Sequence, residues 1–397
     1  MLGLYIHIPF CVSKCHYCDF YSCRADEATK VDYVEALLKQ IDEYAVQAKP
    51  ESVDTVYIGG GTPTSLEFSL LAKIIKAVYA KFNIQKNVEF TVEANPGTVN
   101  LSQLKKLRRL GVNRLSIGLQ SADDEELAAL GRIHTYETFG LCYGNARKAR
   151  FDNISVDVMY GLPSQTVPGF MRTLEAVVSL APEHISMYGL TVGEGTYMHK
   201  HIGEYLMPDE KTEADMYFAG IDFLGSHGYA QYEISNFAKG GNVSRHNMKY
   251  WNLDEYIGLG AAAHSYFAGC RYSFVKDVNK FIRHFLHGES YLSNVDMFDL
   301  PRYSLFDEYM EIKPHERIGE YVMLRFRLTE GIYANAFAKK FGKDFDSLYL
   351  EKLTPFIKNG LIERTDFGYR FSKKGMYVSN YILSRIIDFE DAPATPT

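Results

Sequence analysis

The 397-residue sequence predicts an α/β fold: a partial (β/α)6 barrel followed by a smaller, mostly helical C-terminal domain. Three observations carry that prediction. Short β-rich runs alternate with amphipathic helical stretches through the first part of the chain. Six such units can be counted, two short of a closed eight-stranded barrel. Beyond about residue 235 the alternation stops, and charged helical segments take over.

In chain order, the strands read as Leu4–Ile8, Thr55–Ile58, Glu89–Val92, Arg114–Leu119, Ile154–Met159 and His184–Tyr188. The intervening helices read as Val31–Gln47, Ser69–Lys81, Leu101–Leu110, Tyr136–Arg150 and Pro168–Leu180. Strand, helix and strand in this order form βαβ units, which require a parallel sheet. The barrel is assigned residues 1–235. A Gly/Ala/Tyr-rich connecting segment follows at 236–300, with a helical run near Val278–His287. Residues 301–390 are expected to form a helical domain with a small β-wing at Ile362–Phe371, and the Pro/Ala/Thr-rich 391–397 a disordered tail.

Composition narrows the function classes. A hydrophobic content of 46% with 23% charged residues is ordinary for a globular chain with a sizeable core. The net charge of −6 offers no basic face for nucleic acid. Six cysteines in such a length are too few for a disulfide scaffold; Cys142 and Cys270 read as buried thiols, and the whole set implies a reducing compartment. No signal peptide is legible, and the longest apolar run, Tyr256–Phe267, is short and broken by His264. The expected location is the cytoplasm, with peripheral contact at the inner face of a membrane left open.

The most informative motif lies in the first βα loop, Cys11-Val-Ser-Lys-Cys15-His-Tyr-Cys18. A C-x3-C-x2-C loop gives three thiolates to a [4Fe–4S] cluster and leaves one iron free for another ligand. A structural Cys3His zinc site using His16 is the competing reading. Zinc modules usually split their ligands into two distant pairs, however, and His16 is wedged between two of the cysteines. Gly59-Gly60-Gly61-Thr62-Pro63 follows the second strand and allows close approach of a ligand to the backbone. It lacks the Gly-Lys-Ser/Thr of a phosphate loop, and alone it equally suits a tight turn. Glu93, Gln120 and Asp157 fall in or at the ends of the third, fourth and fifth strands. One such residue is most simply a cap or a surface group, but a series on successive strands converges on a common barrel mouth.

The cysteine loop, the Gly-Gly-Gly-Thr-Pro turn and the six βα units together resemble the radical S-adenosylmethionine (SAM) superfamily. The strings Tyr5–Cys11, Gly59–Thr64, Leu115–Ser121 and Asp157–Pro163 are similar to its coproporphyrinogen III dehydrogenase-like branch, over residues 1 to roughly 375. The resemblance implies that Cys11, Cys15 and Cys18 hold the cluster. It places SAM contacts on Tyr5, Tyr17, Gly60, Gly61, Thr62, Glu93, Gln120, Arg132 and Asp157. Arg132 suits a carboxylate, and Glu93 and Asp157 suit an amine or ribose hydroxyls. In the superfamily, SAM is split into methionine and a 5′-deoxyadenosyl radical.

The branch includes the oxygen-independent dehydrogenase and a haem chaperone. The dehydrogenase carries a fourth cysteine two positions after the third, where this chain has Phe20; Cys23 lies three residues further on. It also has an N-terminal extension, whereas here ten residues precede the first cysteine. His246-Asn-Met-Lys-Tyr250-Trp251 matches the branch's HNxxYW motif, which is associated with haem. Imidazole can ligate haem iron, and Tyr250 and Trp251 offer flat apolar faces, although the same three residues can simply pack against a barrel. The resemblance therefore implies a haem chaperone that passes haem to apo-haemoproteins, respiratory ones in the first instance, with a homodimer compatible. The alternatives are coproporphyrinogen III dehydrogenation and another SAM-dependent reaction on haem.

Overall fold

The computed structural model describes residues 1–288 and 305–387; the tail expected at 391–397 lies outside the described residues. Strands β1 (Leu2–Ile8), β2 (Ser52–Gly60), β3 (Asn83–Ala94), β4 (Arg114–Gln120), β5 (Ile154–Tyr160) and β6 (His184–Gly189) pair in sequence order, every pair parallel. Between them run α1 (Glu27–Gln47), α2 (Phe68–Lys81), α3 (Leu101–Arg109), α4 (Asp124–Ala129), α5 (Tyr136–Lys148) and α6 (Val167–Ser179). Helix α1 begins four residues before its expected start because Asp26 accepts the Thr29 N–H at 2.8 Å. Capping, rather than the apolar period, sets that boundary.

The sheet does not end at β6. After α7 (Tyr197–Lys200) and α8 (Glu210–Ser226), β7 (Ala230–Gln231) and β8 (Asn236–Ala238) extend it antiparallel beyond β6. After α9 (Arg245–Asn252), β9 (Tyr256–Leu259) pairs parallel with β1 at the opposite edge. Beyond β9 come β10 (His264–Phe267), β11 (Cys270–Phe274) and, after α10 (Val278–His287), β12 (Phe306–Glu311). The Gly/Ala/Tyr-rich stretch expected as a connection thus supplies sheet strands. β9 to β11 have only four or five residues each, too few for a period-2 pattern to stand out. No described helix is long and apolar enough to cross a membrane.

Alternation along the strands gives the sheet two different faces. Leu4, Ile6 and Ile8, Val56 and Ile58, Phe90 and Val92, Leu115 and Ile117, and Val156 and Val158 belong to the main buried core shared with the helices. Residues of opposite parity enter the barrel, and most of those with side chains are polar. The register aligns Tyr5, Tyr57, Thr91 and Arg114 in one row, and aligns Glu93 with Ser116, Ser155 and His184 in the next.

Helix α9 closes the barrel at the N-terminal ends of the strands. Its N-cap, Ser244, accepts from Asn247 N, and the Glu89 carboxylate accepts the backbone N–H groups of Arg245 and His246, each at 3.0 Å. Lys249 lies 2.7 Å from Asp54 and donates to the Met1 carbonyl at 3.1 Å.

The remaining elements are α11 (Pro314–Arg325), β13 (Ile332–Tyr333), α12 (Ala334–Phe341), α13 (Phe345–Lys358), β14 (Ile362–Arg364), β15 (Gly368–Phe371), α14 (Lys373–Tyr377) and α15 (Ser379–Ile386). They surround a second core containing Val322, Phe326, Phe337, Phe345, Leu353 and Ile382. The β-wing expected at Ile362–Phe371 is the β14–β15 hairpin, joined by β13. Buried Arg325 ties this domain to the barrel floor, donating to Asn252 Oδ1 at 2.6 Å, Glu330 Oε1 at 2.6 Å and the Gly331 carbonyl at 3.0 Å.

Glu89→Ala leaves two helix N–H groups without their charged acceptor. We expect a loss of roughly 2–3 kcal/mol in urea-denaturation stability. An unchanged midpoint would show that α9 is held by its apolar contacts instead.

Candidate functional site

Residues 9–23 fold into a loop at the C-terminal end of β1. It is closed where Cys23 N donates to the Pro9 carbonyl at 2.8 Å and Cys11 N donates to the Cys23 carbonyl at 3.1 Å. Cys11, Cys15 and Cys18 are free thiols and half-buried. Burial pushes the Cys18 thiol up to about 11. The loop is held on its far side as well: His16 N donates to the Leu130 carbonyl, and Met198 N to that of His16. The His16 ring packs 4.4 Å from Tyr197, with Nδ1 3.0 Å from the Tyr205 hydroxyl, so it belongs to that contact and not to the thiols. Phe20 is 67% exposed.

The glycine turn is built against this loop. Gly60 has φ +113°, and a Cβ there would come within 2.6 Å of the His7 ring. At Gly61 a Cβ would lie 2.8 Å from the Phe10 carbonyl and 3.0 Å from Cys11 Sγ. Neither position takes a Cβ without a shift, because the backbone here touches His7 and the cysteine loop.

Side chains that follow β2, β3 and β4 then join two of the thiols. Thr62 Oγ1 is 3.6 Å from Cys11 Sγ and accepts from Asn95 Nδ2 at 2.8 Å. Arg132 donates through Nη2 to Asn95 Oδ1 at 3.0 Å and to the Gly118 carbonyl at 3.1 Å, and through Nη1 to Cys15 Sγ at 3.4 Å. Asn95 was not singled out by sequence reasoning. Its signal is its place at the end of β3, two residues past Glu93, on the same mouth.

Below this ring sit the carboxylates. Glu93 accepts from the Tyr57 hydroxyl at 2.8 Å and from Gly60 N at 3.1 Å. Burial nevertheless raises its carboxyl from the ordinary 4.5 to about 7. Asp157 accepts from Ser116 Oγ at 3.3 Å on both oxygens, and burial raises it too. Gln120 adopts φ +70°, a strained setting for a side-chain-bearing residue. Tyr17 packs on the small cluster of Leu130, Met159, Leu162 and Met198.

The expected residues are therefore split between two levels. Cys11, Cys15, Cys18, Tyr17, Gly60, Gly61, Thr62, Glu93, Gln120, Arg132 and Asp157 gather at the C-terminal ends of the strands. Tyr5 lies deeper, its hydroxyl 3.0 Å from His7 Nδ1. His246, Tyr250 and Trp251 lie on α9, at the floor. His246 is 1% exposed and both ring nitrogens are engaged, Nδ1 with Thr55 Oγ1 at 2.9 Å and Nε2 with the Tyr250 hydroxyl at 2.8 Å. Burial lowers its pKa to about 3, so the ring is neutral. In this arrangement an iron reaches neither nitrogen without displacing a partner. Trp251 is half-buried, and its Nε1 has no acceptor among the described residues.

Residues 5–177 match the Radical SAM superfamily, and residues 312–378 match the HemN C-terminal domain. The chain is 34% identical over 390 residues to the heme chaperone HemW of Bacillus subtilis, covering 98% of this chain and 99% of that protein. It belongs to the HemW family. The HemW of Lactococcus lactis is 32% identical, with 96% of each chain covered. Among solved structures, the coproporphyrinogen III oxidase (HemN) of Escherichia coli, described as a radical SAM enzyme, superposes with a TM-score of 0.83 at 22% identity. It covers 98% of this chain and 90% of that one, and the likeness is one of fold.

The HemW-family site can be tested for its fit to the superfamily's cofactors. No three described His, Cys, Asp or Glu side chains converge as ligands of a single ion. A cubane asks for a wider spacing, because each thiolate binds a different iron. Among the described residues, Gln120 Oε1 and Arg132 Nε are buried without a hydrogen-bond partner. Two orphaned polar atoms beside two carboxylates and three thiols fit a polar, zwitterionic ligand such as SAM.

The Glu93 shift has a measurable sign. Its folded value is raised, so the stability it contributes is complete below its unfolded value and is lost as pH rises through about 7. The buried histidines, with lowered values, act in the opposite direction, so a comparison with Glu93→Gln is needed to isolate the carboxyl. We expect wild-type stability relative to that variant, measured without cofactors, to fall by on the order of 2–3 kcal/mol between pH 4.5 and 8. A pH-independent difference would mean that Glu93 ionises freely in the fold.

Proposed function

We propose that this chain is a haem chaperone that binds a [4Fe–4S] cluster, SAM and haem and transfers haem to apo-haemoproteins, with those of the respiratory chain as recipients. The observation that carries the reading is identity across nearly the full chain to proteins named heme chaperone HemW. Phe20, at the position of the dehydrogenase's fourth cysteine, supports it against the alternative of coproporphyrinogen III dehydrogenation. The fold shared with HemN is neutral between the two.

In this reading Cys11, Cys15 and Cys18 ligate the cluster, and Arg132, already within reach of Cys15, receives the SAM carboxylate. Glu93, Asp157 and Gln120 orient its amine and ribose, and the glycine turn brings backbone groups to its flank. Cluster and SAM, when bound, supply one-electron reductive cleavage of the sulfonium. The protein's contribution is orientation and exclusion of water. Tyr250, Trp251 and His246 are the haem contacts that the motif proposes; transfer to respiratory apo-proteins would bring the chain to the inner face of the membrane.

Anaerobic haem titration of the cluster-loaded chain is expected to produce a Soret band, and mixing with an apo-haemoprotein should move that band to the recipient. Incubation with coproporphyrinogen III, reductant and SAM is expected to yield no protoporphyrinogen IX. The absence of any Soret change sinks the chaperone reading, and porphyrinogen turnover installs the alternative. Cys15→Ser should abolish the iron–sulfur absorbance while leaving the far-ultraviolet circular dichroism intact.

A further inference from the structure

The floor helix and the SAM-site carboxylate are separated by the depth of the barrel, yet one side chain touches both. Tyr57, on β2, donates its hydroxyl to Glu93 Oε1 at 2.8 Å. The face of its ring stacks on His246, with centroids 5.4 Å apart and planes inclined by 30°. Tyr5 stacks on the same tyrosine at 6.2 Å and lies 6.5 Å from His246. The His246 ring cannot drift, since Thr55, Tyr250 and the Glu89 bond to its own backbone N–H fix it from three directions. Glu93 in turn accepts from Gly60 N, so the chain of contacts ends in the glycine turn that abuts Cys11.

We propose that His246 is a positioning residue for the SAM site, acting through Tyr57 on Glu93. The inference rests on the reading of Glu93 as a SAM contact, and it assigns the motif histidine a task other than iron ligation. The physical logic is that of a carboxylate with a choice of rotamers. Buried, and with its ionised form disfavoured, Glu93 holds one orientation because the Tyr57 hydroxyl and the Gly60 N–H each take an oxygen. The tyrosine holds its own ring position because an imidazole is clamped beneath it. A floor helix joined to the C-terminal domain through Arg325 and Asn252 thereby sets the geometry of a pocket at the opposite mouth. Coupling of this kind works in both directions: an iron that captured His246 would loosen Glu93, so haem held in that way and SAM would compete without sharing a site.

The test is a double-mutant cycle on the full-length, cluster-loaded protein, reading SAM affinity by anaerobic equilibrium dialysis and by the change SAM causes in the electron paramagnetic resonance of the reduced cluster. Tyr57→Phe keeps the stack and removes the donor, and His246→Phe keeps a flat ring and removes both hydrogen bonds. Each is expected to weaken SAM binding by about five- to tenfold, and the double variant by little more than Tyr57→Phe alone, because both act through one hydroxyl. His246→Gln, which can still bond Thr55 and Tyr250, should recover part of the affinity. If His246→Phe fails to load its cluster, Thr55→Val removes the Nδ1 partner isosterically and serves in its place. SAM affinity within about twofold of wild type in these variants, or multiplicative losses in the double variant, overturns the proposal. Loss of the Soret band on His246→Phe with unchanged SAM affinity overturns it as well and makes His246 the haem ligand. A wild-type protein that binds no SAM would remove the SAM-site reading itself, and the proposal with it.

Discussion

A barrel with a polar interior stands or falls on hydrogen-bond satisfaction, and that constraint organises this molecule. Each buried polar group costs free energy unless a partner is supplied, and many inward residues of β1 to β6 find one, although Thr91 Oγ1 and Arg114 Nε have none among the described residues. Tyr57 serves Glu93, Ser116 serves Asp157, and Ser155 Oγ lies 2.7 Å from His184 Nδ1, whose other nitrogen is 2.8 Å from the Tyr232 hydroxyl. The helices outside the sheet impose no such demand, because the strand residues facing them are aliphatic. The polar candidate residues accordingly lie on the inner face of the sheet and at the strand ends, where buried groups are tightly oriented once placed.

Satisfaction is incomplete at the mouth. The unpaired atoms of Gln120 and Arg132 and the raised carboxyls of Glu93 and Asp157 lie together at the C-terminal strand ends. An apolar core at that point would be more stable; a site that leaves polar groups waiting is organised for a polar ligand. The strained backbone at Gln120 and the positive φ of Gly60 belong to the same region. At the floor His246, Thr55, Tyr250 and Glu89 complete one another, while Trp251 Nε1 on the same helix has no acceptor among the described residues.

The C-terminal domain takes part in that floor. Arg325 reaches Asn252 at the end of α9, Lys340 approaches the Asn252 carbonyl at 3.5 Å, and Thr329 N donates to the Tyr232 carbonyl at 3.1 Å. Tyr232 also accepts from Ser244 N at the start of α9. Both ends of the floor helix thus lie against groups that hydrogen-bond to the C-terminal segment.

Periodicity and local chemistry alone determined the six βα units, because parallel strands buried on one face and their covering helices leave strong patterns. They also determined the cysteine loop and the glycine turn, whose residue types have few other uses in that order. The likeness of Phe20 and of His246–Trp251 to one branch of a family was equally legible. What the sequence left unread was long-range. Strands β7 to β11 are too short to show a period and exist because they have an edge to pair with. Asn95 joins the site only because Thr62 and Arg132 arrive beside it from other units. The position of His246, on a motif that reads as a surface for haem, was decided by tertiary structure: Thr55 lies 191 residues earlier in the chain. No local pattern records a partner so distant, and only closure of the barrel brings the imidazole beneath Tyr57.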